Sequence, residues 1–296
     1  MNDHEALVED AARTKRGVML VGGLDSGKTT FARALLAAAL AVGRSCAYLD
    51  VDVGQKTVGP PGTVSLKLVR GADDLEPERL TEADALAFVG STSPEGHLLP
   101  VVASAARMRA RAIAAGADLI VMDTSGVVSG IYAQILKYHK VEMTEPDLVV
   151  GLQRGEELQP LLGVIQRFFR TEVVPLPIYP GVHPTTVEQR AANREAAMRR
   201  YFSGDLHRWR VKPTVFMPSL PPMFDLAQLD RLLVGLSDGE GGCLGIGYLE
   251  YAADEAVLRL ISPVAEAPKA LRLGSVRLEE DYRAKRVDLR NLFGSE

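Results

Sequence analysis

The sequence predicts an α/β protein: a mostly parallel, doubly wound sheet followed by a small, mainly β C-terminal domain. Three observations predict it. The first is the run Gly22-Gly23-Leu24-Asp25-Ser26-Gly27-Lys28-Thr29, a glycine and four residues before Gly-Lys-Thr, set between an apolar run at 18–21 and a helix-forming run at 31–42. The second is the alternation of strand-like and helical patterns up to residue 202, which argues for parallel strands with crossover helices. The third is a change of character beyond Gly204, where prolines break the chain and alternating β-type runs appear.

Taken in order, residues 1–16 read as a frayed leader and 17–21 as a buried strand. The Ala- and Leu-rich helix over 28–42 stops at Gly43. Strands are expected at 46–51, 63–69, 86–90, 119–122, 148–152 and 173–178. The polar stretch 71–84 is expected to be a surface loop or short helix. Helices are expected at 98–115, 131–141, 156–169 and 185–202. Pro213, Pro218, Pro221 and Pro222 interrupt the chain beyond the last helix, and strands are expected at 243–251, 256–261 and 270–278. The expected division is therefore a leader at 1–16, a P-loop domain at 17–204 and a β-rich domain at 205–296.

A chain of 296 residues with 47% apolar and 24% charged residues has an ordinary globular composition. Its formal charge of −4 excludes a protein that coats nucleic acid by bulk charge and leaves room only for a local basic site. Cys46 and Cys243 form no CxxC pair, so neither a zinc module nor a disulfide framework is read. Residues 1–16 lack the apolar core of a signal peptide, and the longest apolar run, 34–42, is too short to span a bilayer. A cytoplasmic protein without a membrane anchor is expected.

The loop carries the first chemistry. Glycines let backbone N–H groups close around phosphate oxygens at a helix N-terminus whose dipole favours anions. Lys28 then lies along the β- and γ-phosphates of a nucleoside triphosphate, and the Thr29 hydroxyl reaches Mg²⁺. Gly22, Gly23, Asp25, Ser26, Gly27 and Thr30 complete the expected nucleotide contacts. Asp50 and Asp52, two apart at a strand end, share a side next to the loop. One carboxylate there can orient Mg²⁺ waters while the other accepts a proton from an attacking hydroxyl. Gln55 in the same turn can hold a phosphate or a water.

Asp123-Thr124-Ser125-Gly126 ends the strongest internal strand. Its hydroxyls and N–H groups can reach a γ-phosphate, or they can cap the next helix. Arg190 and Arg194 lie four apart on one helix face, where like charges oppose helix formation unless an anion joins them. From Arg190 to Lys212 there are seven Lys and Arg residues against Glu195 and Asp205. Arg107, Arg109 and Arg111 scatter around a helix and read as solvated. His97, His139 and His183 have no metal-ligand spacing, and Trp209 reads as packing.

In this order the motifs resemble the polynucleotide 5′-hydroxyl kinases. That family contains the kinase subunit of eukaryotic pre-mRNA cleavage factor II and the nucleolar kinase of ribosomal RNA processing, with shorter archaeal and bacterial relatives. The resemblance rests on Gly22 to Thr29, Asp50 to Gln55 with Pro60-Pro61-Gly62-Thr63, and Phe88 to Pro94. It continues through Thr124 to Gly126, then Arg190 and Arg194 with Tyr201-Phe202 behind them, and the runs 244–264 and 271–278.

The resemblance implies that Lys28 and Thr29 bind phosphates and Mg²⁺, that Asp50 also faces the metal, and that Asp52 activates a 5′-hydroxyl. Thr124 would support the γ-phosphate, and Arg190 and Arg194 would close as a lid over it. Asp50, Gln55, Gly126 and Val127 would line the substrate side. Implied ligands are ATP or GTP, Mg²⁺ and a single-stranded 5′-hydroxyl end of RNA or DNA. The family's clasp, which corresponds to Thr124 to Gly126 here, continues with a base-stacking tryptophan. Here the residue is Val127, which leaves Tyr132 or Tyr138 for that role. A nucleotide switch or a nucleotide-bound scaffold would share the loop but not transfer to nucleic acid.

Overall fold

The computed structural model describes residues 3–178, 182 and 184–294. His183 and residues 1–2 of the expected leader lie outside the described residues. The chain divides into two compact units. Met1–Asp52, Val64–Asp84 and Leu98–Thr186 form the first, and Val53–Thr63, Ala85–His97 and Val187–Glu296 form the second.

The first unit holds strands β1 (Gly17–Gly22), β2 (Cys46–Asp50) and β3 (Thr63–Val69). It also holds β5 (Leu119–Asp123), β6 (Leu148–Gln153) and β7 (Glu172–Pro177). They run in the order β3-β2-β5-β1-β6-β7. All neighbours are parallel except β3, which pairs antiparallel with β2. β1 is buried from Val18 onward, as its apolar run requires when helices cover both faces of a parallel sheet. The strand order reverses around β1, so its carboxyl end opens at a topological switch point, where α/β folds bind ligands.

The unit's helices are α1 (Asp3–Thr14), α2 (Lys28–Ala41) and α3 (Pro77–Leu80). α4 (Leu98–Ala114), α5 (Gly130–Thr144) and α6 (Gln159–Phe168) complete the set. α1 corrects the expectation of a frayed leader. Val8, Ala11 and Ala12 are buried at i, i+3 and i+4, and His4 Nε2 lies 2.7 Å from Pro177 O. That stripe is short and flanked by charges, which hides it in the sequence.

The second unit contains β4 (Ala85–Phe88), α7 (Val187–Tyr201) and a largely antiparallel sheet. The sheet's strands are β8 (His207–Val211), β9 (Phe216–Met217), β10 (Leu232–Ser237) and β11 (Cys243–Ala252). β12 (Val257–Ser262), β13 (Ala270–Leu278) and β14 (Ala284–Arg286) come next, and the short α8 (Leu289–Phe293) is last. The order is β14-β13-β10-β11-β12-β8, with β9 parallel to β13. One face buries Leu232, Val234, Leu249, Leu260 and Leu271, and Trp209 packs there as expected. The other buries Leu233, Ile246, Tyr248 and Ile261 under Phe88 of β4 and Met198 of α7, with Phe202 just beyond that helix.

Two expectations are corrected. The expected division at 204/205 separates α7 from the β domain, whereas Met198 and Phe202 bury it against that sheet, and 53–63 and 85–97 group there too. β8 and β10 were not expected. β8 alternates charge with Trp and Val, and β10 comes after a proline-rich segment that reads as broken chain.

Among the described residues, no helix is long and apolar enough to cross a membrane. Gly235 of β10 sits beneath Phe88, and a Cβ there would meet the ring atom Cγ at 2.4 Å. Gly235→Ala is therefore expected to destabilise the chain by about 1–3 kcal/mol through overpacking, read as a lower urea midpoint at unchanged slope. An unaltered midpoint would contradict this packing.

Candidate active site

The loop between β1 and α2 is shaped by backbone requirements before any side chain acts. Gly27 precedes α2 at φ 89°, a conformation that favours glycine. A Cβ on Gly22 would meet Ser26 Oγ at 2.3 Å and Leu152 O at 2.7 Å, so only glycine lets the turn close. Asp25 takes φ 51°, and its carboxylate accepts from Thr185 N and Oγ1 at 2.7 and 2.8 Å. Arg154 donates to Leu24 O and Asp25 O at 3.3 and 2.8 Å, holding the outer turn. Thr30 is exposed beside it.

Lys28 turns back onto this loop. Its Nζ donates to Gly22 O, Gly23 O and Ser26 Oγ at 3.0, 2.7 and 3.2 Å. Burial lowers its pKa, against the opposing pull of Asp123, Asp52 and Asp25. Three carboxylates thus face one ammonium at the loop.

The carboxylate that meets Thr29 is Asp123. Thr29 Oγ1 donates to Asp123 Oδ2 at 2.6 Å, and the buried Tyr48 hydroxyl donates to the same oxygen at 2.8 Å. β2 and β5 are in register here, with Asp50 beside Asp123. Asp50 Oδ1 accepts Asp52 N at 3.2 Å, and Asp52 lies just past the end of β2. Sequence reasoning placed Asp50 beside the metal and read Asp123 only as part of its strand-end motif. The signal was present, since Asp123 ends an apolar strand, but the parallel pairing that brings it to Thr29 is not visible in a linear sequence.

Thr124 is held rather than exposed. Its Oγ1 donates to Leu20 O at 2.7 Å and accepts from Lys137 Nζ at 2.7 Å, and Lys137 also donates to Ser125 O at 2.7 Å. Lys137 is fully buried, which pushes its pKa well below the usual lysine range; Lys140 and Lys28 push the same way. Lys140 Nζ donates to Val51 O at 3.5 Å. Both lysines fall in phase with Ala133, Leu136 and Val141 on the buried face of α5. Lysine in an apolar stripe was the available signal, and the sequence reading passed over it.

Ser125 Oγ is buried without a hydrogen-bond partner among the described residues. A Cβ on Gly126 would meet Leu24 Cδ2 at 2.6 Å and Leu24 N at 2.9 Å, so the clasp glycine allows close approach to the phosphate loop. Val127 is half-buried. Tyr138 is committed to packing against Phe168 and Phe169, leaving Tyr132 of the two tyrosines named for base contact.

Lys28, Thr29, Asp50, Asp52, Asp123 and Thr124 all belong to the first unit. Arg190, Arg194 and Gln55 belong to the second, where Gln55 Nε2 donates to Arg190 O at 3.0 Å and ties the 53–63 turn to α7.

Oxygen donors suit a hard cation: Thr29 Oγ1 and the Asp123 carboxylate match what Mg²⁺ takes from a protein when phosphates and water fill its other positions. The orphaned Ser125 hydroxyl beside Thr124 offers one more polar group to a phosphoryl oxygen.

The chain is 28% identical to a polyribonucleotide 5′-hydroxyl-kinase of Thermococcus kodakarensis, over 89% of this chain and 88% of the relative. It is 26% identical to one of Methanocaldococcus jannaschii, over 89% and 87%. A CLP1 homologue of Culex quinquefasciatus is 31% identical over 78% of this chain and 53% of its own. Among solved structures, Clp1p in complex with Pcf11p shares the fold at TM-score 0.71 and 14% identity, over 92% of this chain and 77% of that one. The family model of the mRNA cleavage and polyadenylation factor CLP1 P-loop matches residues 22–204, most of the chain, including Gly22–Thr29, Thr124–Gly126, Arg190 and Arg194, and the chain belongs to that family.

Proposed function

We propose that this chain is a polynucleotide 5′-hydroxyl kinase, moving the γ-phosphoryl group of ATP or GTP to the 5′-hydroxyl end of RNA or DNA. The observation that carries the reading is the Thr29–Asp123 contact at the phosphate loop, with Asp52 close enough to act on the Lys28 charge. The archaeal relatives, matched along nearly their full length, bear the name of that activity.

In this reading Asp52 accepts the proton of the 5′-hydroxyl as its oxygen bonds to the γ-phosphorus. The bond from that phosphorus to the β–γ bridging oxygen breaks, and the nucleoside diphosphate leaves with the electron pair. Lys28 leaves the Gly22 and Gly23 carbonyls to meet the β- and γ-oxygens. Mg²⁺, held through Thr29 and Asp123 with Asp50 alongside, supplies charge neutralisation when bound. Arg190 and Arg194 close over the transferring group, where a guanidinium fork matches phosphate geometry. Lys137 is a positioning residue: it fixes the Thr124 hydroxyl and the Ser125 carbonyl, so Thr124 supports the γ-phosphate by holding the turn that offers the Ser125 hydroxyl to it.

Incubation with labelled ATP, Mg²⁺ and a 5′-hydroxyl oligonucleotide is expected to label the 5′ end. Lys28→Ala and Asp52→Asn should each lose about 10²-fold or more in kcat, and Arg190→Ala with Arg194→Ala about 10³-fold. Nucleotide hydrolysis indifferent to oligonucleotide, with no label on it, would instead make the chain a nucleotide switch.

Lys137→Met should lower kcat more than it raises KM. It also changes the pH dependence of stability. A lysine whose folded pKa lies below its unfolded value disfavours the folded state while charged, so stability rises with pH between the lowered value and about 10.4. Thermal melts from neutral pH upward should show that rise in the wild type and a flatter profile in Lys137→Met. Parallel profiles would contradict a charge-burying Lys137.

A further inference from the structure

The kinase reaction leaves part of the basic run unused. Beyond Arg190 and Arg194, the chain continues through α7 to β8, where Arg208 and Arg210 are followed by Lys212 just past the strand end. Among the described residues β8 is an edge strand, paired with β12 alone. Its alternation is strict. Trp209 and Val211 pack into one core, while Arg208, Arg210 and Lys212 are exposed on the other side.

That other side is the face carrying α7. Arg208 lies opposite Ile261, and Ile261 is buried beneath Met198 and Phe202. Opposed residues in a ladder point to the same face, so Arg208 and Arg210 stand on the face of the helix that bears Arg190 and Arg194, and Lys212 follows them just past the strand end.

The ion pairs nearby leave this strip without counter-ions. Arg210 is directly opposite Arg259, a like-charge pair that costs stability. Arg259 is balanced by Glu250 at 3.7 Å and by Glu255. Arg199 is likewise taken by Glu195 at 2.7 Å. Arg208, Arg210 and Lys212 have no carboxylate within ion-pair distance among the described residues. On a chain of net charge −4, three unbalanced cations on one edge call for an anionic ligand.

Spacing selects that ligand. Side chains at alternate positions of a strand repeat about every 7 Å, which suits successive phosphates of an extended single strand. An acidic peptide could match the charge. It would also be expected to complete the sheet along the β8 edge, whereas the cations project from the sheet face and not along the edge.

We propose that Arg208, Arg210 and Lys212 bind the phosphodiester backbone of a single-stranded polynucleotide on the 3′ side of the reacting end. The strip is then a length-reading subsite that holds the body of the substrate while the lid serves its end. This rests on the kinase reading.

The test uses the whole chain and two readouts. The first is fluorescence anisotropy with a labelled, 5′-phosphorylated single-stranded RNA of roughly twelve nucleotides, within the usual span of such grooves. The second is phosphorylation of a 5′-hydroxyl dinucleotide, which has a single phosphodiester behind its reacting end. The triple variant R208A/R210A/K212A is expected to bind the longer RNA at least about tenfold more weakly. The slope of log Kd against log salt should fall by about 2, three contacts at about 0.7 each. Dinucleotide turnover should stay at the wild-type level, and R208K/R210K should restore most of the binding. Unchanged affinity and salt slope in the triple variant would overturn the proposal, as would equal binding of a poly-glutamate peptide by the wild type. A wild type that binds the RNA through the strip but labels no dinucleotide would sink the kinase reading alone.

Discussion

One carboxylate organises the first unit. Asp123 is 6% exposed at the end of β5, and one of its oxygens accepts both the Thr29 and the Tyr48 hydroxyls. A buried charge is tolerated only when its hydrogen bonds are made, and here the donors come from α2 and β2. The result is that the first turn of α2, and with it the phosphate loop, is anchored to two neighbouring strands. The position of Lys28, the exit of β2 toward Asp52 and the start of the clasp at Thr124 all depend on that anchor.

A second layer of buried lysines supports it. Lys137 reaches under the clasp from α5, and Lys140 reaches the Val51 carbonyl where β2 gives way to Asp52. Both segments that carry the proposed chemistry are thus held at backbone carbonyls by lysine Nζ groups, and the Thr124 hydroxyl is fixed with them. Rigid support of this kind favours phosphoryl transfer, where positioning and electrostatics do most of the work. In the second unit the Gln55 amide ties its turn to the helix that carries Arg190 and Arg194.

Much of this was legible in the sequence, for physical reasons. β1, α2, β3, α4 and β13 match their expected spans closely because strong period or glycine punctuation marks their ends. The phosphate loop was readable because its glycines answer local needs, such as the close approach of Gly22 to Ser26. What was missed depends on contacts distant in sequence. Asp123 matters through its register with Asp50 and its reach to Thr29. Lys137 and Lys140 look like surface charge until α5 is packed. α7 joins the β unit through Met198 and Phe202, two apolar residues in a helix whose composition is otherwise solvent-facing. β8 was hidden because its alternation pairs a half-buried Trp209 with exposed arginines.

The most direct test of the account is Mg²⁺-dependent binding of a non-hydrolysable ATP analogue, measured by calorimetry on the wild type and Asp123→Asn. If Asp123 and Thr29 hold the metal at the phosphate loop, the wild type should bind more tightly with Mg²⁺ than without, and the variant should keep its metal-free affinity but lose that gain. An equal Mg²⁺ gain in both proteins would contradict the central role given to the Thr29–Asp123 contact.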